Sequence, residues 1–281
     1  MEKRIIARGV ALGALGGLLA FVFARILAEP IIARAIDYEG AREAAHTEMR
    51  RAGGHTHGVE EAELFTRTVQ ANLGIGFGMV VFGAAMGALF AVVYCLLIGR
   101  VGKLSPRSLA LCVAGGMFAV LYAVPFFKYP ANPPAVGNGD TIGERTGLYL
   151  LMVLISAVGA VVAVWAGRKL QARLGNWSAT VVAGIGFVVV VTAIAALLPS
   201  LGHLAANREL GTVGETPGPL RGPDGQILSP GFPADDLYYF RFYSFAAQAL
   251  LWSVIGFGFA TLAPRLFGRI SEPGTAPAPL V

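Results

Sequence analysis

The chain has 281 residues, 55% of them hydrophobic and only 14% charged, with a formal net charge of +5 at pH 7. Soluble domains carry about 25% charged residues, so this composition excludes an ordinary water-facing globule and implies a polytopic membrane protein. Two cysteines without a C-x-x-C pair give neither a disulfide framework nor a zinc knuckle, and no nucleic-acid partner is expected.

Six apolar stretches approach or exceed the ~20 residues that cross a bilayer as a helix. They cover about residues 5–28, 69–98, 108–127, 147–166, 179–199 and 243–266. Backbone groups in lipid must be satisfied within their own segment, which makes such stretches helical. The expected fold is all-α: a single membrane domain over 1–281, with six transmembrane helices and both termini cytoplasmic. The first stretch follows Lys3 and Arg4 as a signal peptide would. Arg25 inside it and the lack of a small-x-small site favour a retained span. Gly9, Gly13 and Gly17 recur every four residues, as do Gly74 and Gly78, and Gly83 and Gly87. That spacing lets a neighbouring backbone approach closely.

Residues 29–68 form an acidic, histidine-containing loop, expected outside. The stretch IIARAIDYEGAREAAHTEMRRA reads as a short amphipathic helix with Glu39, Glu43, His46 and Arg50 on one face. Gly53 and Gly54 end it, and His55 and His57 then flank one residue, so an extended chain points both imidazoles to one side. Imidazole with carboxylate suits first-row cations such as zinc, nickel and cobalt. Competing readings are that Glu39 and Glu43 pair with Arg42 and Arg50, and that Glu60, Glu61 and Glu63 favour the dipole of the next helix.

The second stretch brings Gln70 and Asn72. Its GIGFG run at 74–78 is not a phosphate loop, because no strand precedes it and no lysine follows. Arg100, Lys103 and Arg107 make the next connection basic, as do Arg168, Lys169 and Arg173 further on. By the positive-inside rule these two loops face the cytoplasm with both termini. Cys95 and Cys112 flank the first of them at matching distances. Between the third and fourth stretches, Pro125, Pro130, Pro133 and Pro134 stiffen the chain. Asp140 and Thr141 are expected to cap the fourth helix with Glu144 in its first turn. In the alternative, Asp140 or Glu144 joins Asn72 along a cation path. His203 follows the fifth stretch and becomes a fourth ligand if that end lies beside the first outer loop. Residues 200–242 form a Gly/Pro-rich outer loop with Asp224 as its one ligand-like residue, and Asp235 and Asp236 start the last helix. No Asp, Glu, Lys or His falls mid-helix, so neither a proton relay nor a membrane-depth catalytic histidine is present, and no Walker lysine supports ATP hydrolysis.

Four blocks carry a resemblance: AEPIIARAIDYEGAREAAH, RTVQANLGIGFGMVVFGAAMGALFAVVY, PFFKYPANPPAVGNGDTIGERTGLYLLMV and DDLYYFRFYSFAAQALLWSVIGFGFATL. With them the chain resembles the CbtA family of predicted cobalt transporter subunits. The resemblance implies no enzyme activity and a bacterial plasma (inner) membrane location. It also implies a membrane component for uptake of cobalt towards cobalamin biosynthesis, and a small one-helix, histidine-rich partner protein. The cargo is then a cobalt or nickel ion with no tightly bound cofactor, and membrane lipid is a second partner. The ligand set expected is His46, His55, His57, Glu43, Glu39 and His203. The alternative function is a non-transporting membrane module, such as a metal sensor or an assembly partner.

Overall fold

A computed structural model describes residues 2–52, 70–102, 104–134, 136–209 and 216–267. The order is α1 Glu2–Leu27, α2 Glu29–Ala52, a π-helical turn Gln70–Gly74 leading into α3 Ile75–Leu97, and α4 Pro106–Phe118. A second π turn, Ala119–Ala123, leads into α5 Val124–Lys128. There follow α6 Ile142–Leu197, α7 Ala205–Glu209, strands β1 Leu220–Arg221 and β2 Ile227–Ser229, and α8 Ala234–Phe267. Among the described residues, five stretches are long and apolar enough to cross a membrane: Glu2–Leu27, Asn72–Leu97, Pro106–Lys128, Gly139–His203 and Ala234–Pro264.

The fourth is far too long for one crossing. A straight helix of 56 residues runs about 84 Å, against a hydrocarbon core of about 30 Å. Gly175 interrupts it with φ 75° and ψ 170°, a conformation open to glycine because it lacks a Cβ. The two arms, 142–174 and 176–197, then fold back on each other. Gly159 faces Phe187 and Val191, and Gly167 faces Ala183. Partners pair in reverse order about Gly175, as an antiparallel helical hairpin requires. The described residues thus hold five candidate spans where the hydropathy pattern has six stretches, because the stretches 147–166 and 179–199 fall in the two arms of one helix that turns back at Gly175.

The chain divides into two compact units. One comprises Met1–Arg25, Phe65–Phe118 and Ala246–Val281. Within it, Gly9, Gly13 and Gly17 of α1 meet Gly87, Gly83 and Met79 of α3, backbone against backbone. A methyl group at Gly13 would stand 2.9 Å from the Gly87 Cα and closer still to the Gly83 carbonyl oxygen. Among the described residues nothing lies within 4 Å of a Cβ placed at Gly78, so the close-packing reading holds for Gly83 and Gly87 and not for Gly78. Phe90, Tyr94 and Phe259 stack beside this seam, with ring centroids 4.8–6.0 Å apart. Aromatic pairs at such separations contribute about 0.5–1.5 kcal/mol beyond their buried area. The Tyr94 hydroxyl donates to the Pro106 carbonyl at 3.0 Å, while Ser105 caps α4 by accepting from the Ser108 N–H at 3.1 Å.

The other unit comprises Ile26–Leu64 and Ala119–Phe245. Its core joins Tyr129, Met152, Val191, Leu201 and Leu204. Pro125 explains the π turn before it: proline offers no N–H and its ring clashes with the carbonyl four residues earlier, so the helical ladder widens. Ser156 donates at 2.5 Å to the neighbouring Val120 carbonyl. The short antiparallel hairpin of β1 and β2 departs from a purely α fold. Its tight turn comes from the sequence GPDG: Gly225 has φ 80°, the Gly225 N–H donates to the Gly222 carbonyl at 2.9 Å, and Asp224 accepts from the Gln226 N–H at 3.3 Å. Asp224 is a turn residue here.

Candidate metal-capture surface

Pro30 sits in the first turn of α2, where its missing N–H is lost without penalty. One stripe of this helix is turned inward: Ile31 and Ala35 are buried, and Tyr38 and Arg42 half-buried. That stripe is pinned to the Gly/Pro-rich segment and to the start of α8. Arg34 grips Asp236 with Nη2–Oδ1 at 2.5 Å and Nε to both oxygens at 3.1 Å. The Tyr38 hydroxyl donates to the Pro230 carbonyl at 3.1 Å, and the Tyr38 ring packs edge-on to Phe232 at 5.2 Å. Arg42 donates to the Gly218 carbonyl at 2.8 Å. Bidentate guanidinium–carboxylate geometry fixes direction as well as attraction, so α2 is held in one orientation.

On this helix Glu39 and Glu43 are exposed and His46 is half-buried, one turn beyond Arg42 and Glu43. Glu43 accepts from Arg50 at 2.6 Å, which realises one of the pairings expected from sequence. Partial loss of solvation, and secondly the Glu43 charge, hold the Glu39 carboxyl above the ordinary carboxylate value. Two carboxylates one helical turn apart repel each other, and a divalent cation beside them relieves that repulsion. His55 and His57 lie outside the described residues. Among the described residues, no three His, Cys, Asp or Glu side chains converge closely enough to hold a metal ion.

The remaining candidates are dispersed. His203 is exposed in the 3-10 turn Leu201–His203, with its Nδ1 bonded to the Ser200 hydroxyl. Asp140 and Glu144 are both exposed. The cap before α6 is not made by Asp140 or Thr141: the Asn138 side chain accepts from the Asp140 N–H at 3.0 Å, and the Thr141 hydroxyl donates to the Asn138 carbonyl at 2.7 Å. Asparagine at the turn's own N-cap reaches the free N–H first. Asn72 is exposed and its Oδ1 accepts from Arg25 Nε at 2.9 Å. Cys95 and Cys112 are both free thiols.

Sequence reasoning missed Arg34, Tyr38 and Arg42 as the anchors of this helix. Their partners lie 176–202 residues away, and nothing local in sequence announces such a pairing.

The model of the CbtA family, described as a probable cobalt transporter subunit, matches residues 2–264. The chain belongs to the CbtA family. Comparison with curated proteins and with solved structures gives no match. With several apolar helices and this membership, the CbtA chain is a multi-pass membrane protein of cobalt transport. The family description makes it one component of a larger transporter, and so implies a second component.

Proposed function

We propose that this CbtA chain is the membrane-spanning component of a cobalt uptake system, and that α2 and the segment after it collect the ion on the outer face. The observation that carries the reading is the family match over nearly the whole chain. The reading takes six crossings, with the basic loops 100–107 and 168–177 and both termini in the cytoplasm; the charge alternation and the fold-back of α6 at Gly175 support it. Glu39, Glu43, His46, His55 and His57 then face outward as one ligand set, with His203 joining if it lies within reach. Asp140 and Glu144 are candidate path residues of the second unit, and Asn72 is separately one of the first. The partner is a one-helix, histidine-rich protein, and the location a bacterial inner membrane. Neutral imidazole ligates and imidazolium does not, so capture fades in acid.

Deletion of the chain should lower cellular cobalt accumulation; unchanged accumulation would assign it to sensing or assembly. Replacing His46, His55 and His57 together with alanine should slow uptake at limiting cobalt, and saturating cobalt should restore the rate, because a surface ligand set raises local concentration without lining the path. Assay near pH 5 should mimic the triple variant. Uptake at limiting cobalt that ignores the triple change would remove the histidines from the mechanism. Orientation is checked separately: cysteines at Gly54 and Gly225 should react with an impermeant thiol reagent from outside, and one at Ser105 should not.

A further inference from the structure

A groove of about 450 Å³ lies between the end of α5, the segment after it and the first turns of α6. Ligand sites commonly span about 300–1,000 Å³. Ile142, Arg145, Thr146, Tyr149 and Leu150 form one wall, at the i, i+3, i+4, i+7, i+8 spacing of a single helix face. Tyr122, Phe126 and Tyr129 form the aromatic wall opposite.

The walls are fixed by bonds beyond the groove. Tyr122 stacks on Phe126 at 5.3 Å, and the Tyr129 hydroxyl donates to the Pro199 carbonyl at 2.9 Å. Arg241 holds the adjoining chain, Nε donating to the Ala131 carbonyl at 3.2 Å and Nη2 to Asn132 Oδ1 at 2.7 Å. The mouth opens onto apolar surface, since Ile142 and Leu150 are 62% and 59% exposed. Such a surface on a multi-pass membrane protein meets lipid.

Within this largely apolar groove, the Arg145 guanidinium has no hydrogen-bonding or charged partner among the described residues, and neither does the Tyr149 hydroxyl. A half-buried cation beside aromatic walls is incomplete without an anion. Guanidinium matches phosphate oxygens with two parallel N–H donors. A second positive charge stands beside the aromatic wall, where Lys128 Nζ lies 5.5 Å from the Tyr129 ring centroid with one proton donated to the Leu198 carbonyl at 3.0 Å. An occupant therefore needs an anionic head and an apolar body, and it arrives from the lipid phase.

We propose that this groove binds one anionic phospholipid, with Arg145 and the Tyr149 hydroxyl on the phosphate and an acyl chain between Tyr122, Phe126 and Leu150. The site is separate from α2 and independent of the metal reading.

The test is native mass spectrometry of the full chain, released from micelles supplemented with equal amounts of phosphatidylglycerol and phosphatidylcholine of identical acyl chains. The wild-type chain should retain phosphatidylglycerol about tenfold over phosphatidylcholine, the scale of one charge-assisted contact. Arg145→Gln should bring the ratio close to one, while Arg145→Lys keeps part of the preference. Thr146→Trp fills the groove and should lower retention of both lipids. Thermal unfolding in phosphatidylcholine alone should stay unchanged in Arg145→Gln, which separates lost binding from lost folding. An equal ratio in the wild type overturns the proposal, as does an undiminished preference in Arg145→Gln. So does a copurifying polypeptide in place of lipid that Thr146→Trp releases.

Discussion

Removing Arg34 tests whether α2 is truly anchored, because the anchor is a single well-defined contact between distant parts of the chain. The guanidinium meets both oxygens of Asp236, whose side chain is only 17% exposed, while its own side chain is 53% exposed. Hydrogen bonds to charged groups contribute about 1.5–3 kcal/mol; solvent screening at the arginine end brings the expected pair coupling down to about 1–1.5 kcal/mol. A double-mutant cycle over Arg34→Ala, Asp236→Ala and the double variant isolates that term. The fitting readout is local: the rate at which a protease cuts within α2 at low enzyme concentration, where cleavage follows the population of the opened form. Each single variant should open α2 by about tenfold, and the double variant by little more than either alone. Tyr38 and Arg42 keep separate bonds to the Pro230 and Gly218 carbonyls, so complete release should need all three. A coupling below about 0.3 kcal/mol, the level of an ordinary exposed pair, would refute the anchoring argument. Loss of the anchor should also reduce uptake at limiting cobalt if α2 presents the ligands.

Cysteines at 167 and 183, in a chain with Cys95 and Cys112 replaced by alanine, should cross-link on mild oxidation and shift mobility on a gel. The Cβ positions are 3.2 Å apart, near disulfide spacing, whereas one straight helix would hold them about 24 Å apart. Gly83→Val should destabilise the first unit by about 1–3 kcal/mol, the range for overpacking, because the atom it strikes is Gly13 backbone and cannot swing aside; Gly78→Val meets open space and should leave the melting temperature in detergent unchanged. Glu39→Gln tests the raised carboxyl: a raised folded-state value means that protonation favours the fold, so wild-type stability declines as pH rises through that value. The variant should gain about 0.3 kcal/mol at neutral pH and nothing below the unfolded carboxylate value, read by melting at both pH values. Arg25→Gln removes a positive charge bonded to Asn72 and should speed uptake at limiting cobalt severalfold if Asn72 lies on the path; an unchanged rate would take Asn72 off it.

What was legible in the sequence is what depends on local pattern. The apolar runs showed their helices because a bilayer-length segment has few other ways to satisfy its backbone. Their ends were less exact, since Ile142–Leu197 continues past its apolar stretches through Arg145 at one end and Arg168, Lys169 and Arg173 in the middle. The glycine repeat at 9, 13 and 17 pointed to close packing, but which helix it meets depends on the reversed pairing with 79, 83 and 87. The residues around the expected ligands were legible singly and not together. Asp236 reads locally as a helix-starting acid, yet its oxygens hold Arg34, 202 residues earlier in the chain. Asp140 reads as a cap, yet Asn138 reaches the open N–H two residues sooner.

The first unit also limits where a metal ion can travel. Along the seam between α1 and α3 the backbones approach so closely that even one added methyl group collides with a carbonyl oxygen. An ion that keeps any of its hydration shell is larger than a methyl group, so it cannot pass there. At the end of that seam Arg25 donates to Asn72. A divalent ion about 4 Å from a guanidinium is repelled by about 2 kcal/mol even at the dielectric of bulk water, so an ion that enters at Asn72 must first displace the guanidinium. The sequence places no carboxylate, lysine or histidine at mid-membrane depth. Ligands available to a cation there are neutral oxygens and the sulfurs of methionine and cysteine. If α2 and the segment after it collect the ion as proposed, weak ligation along the path would let a captured ion leave.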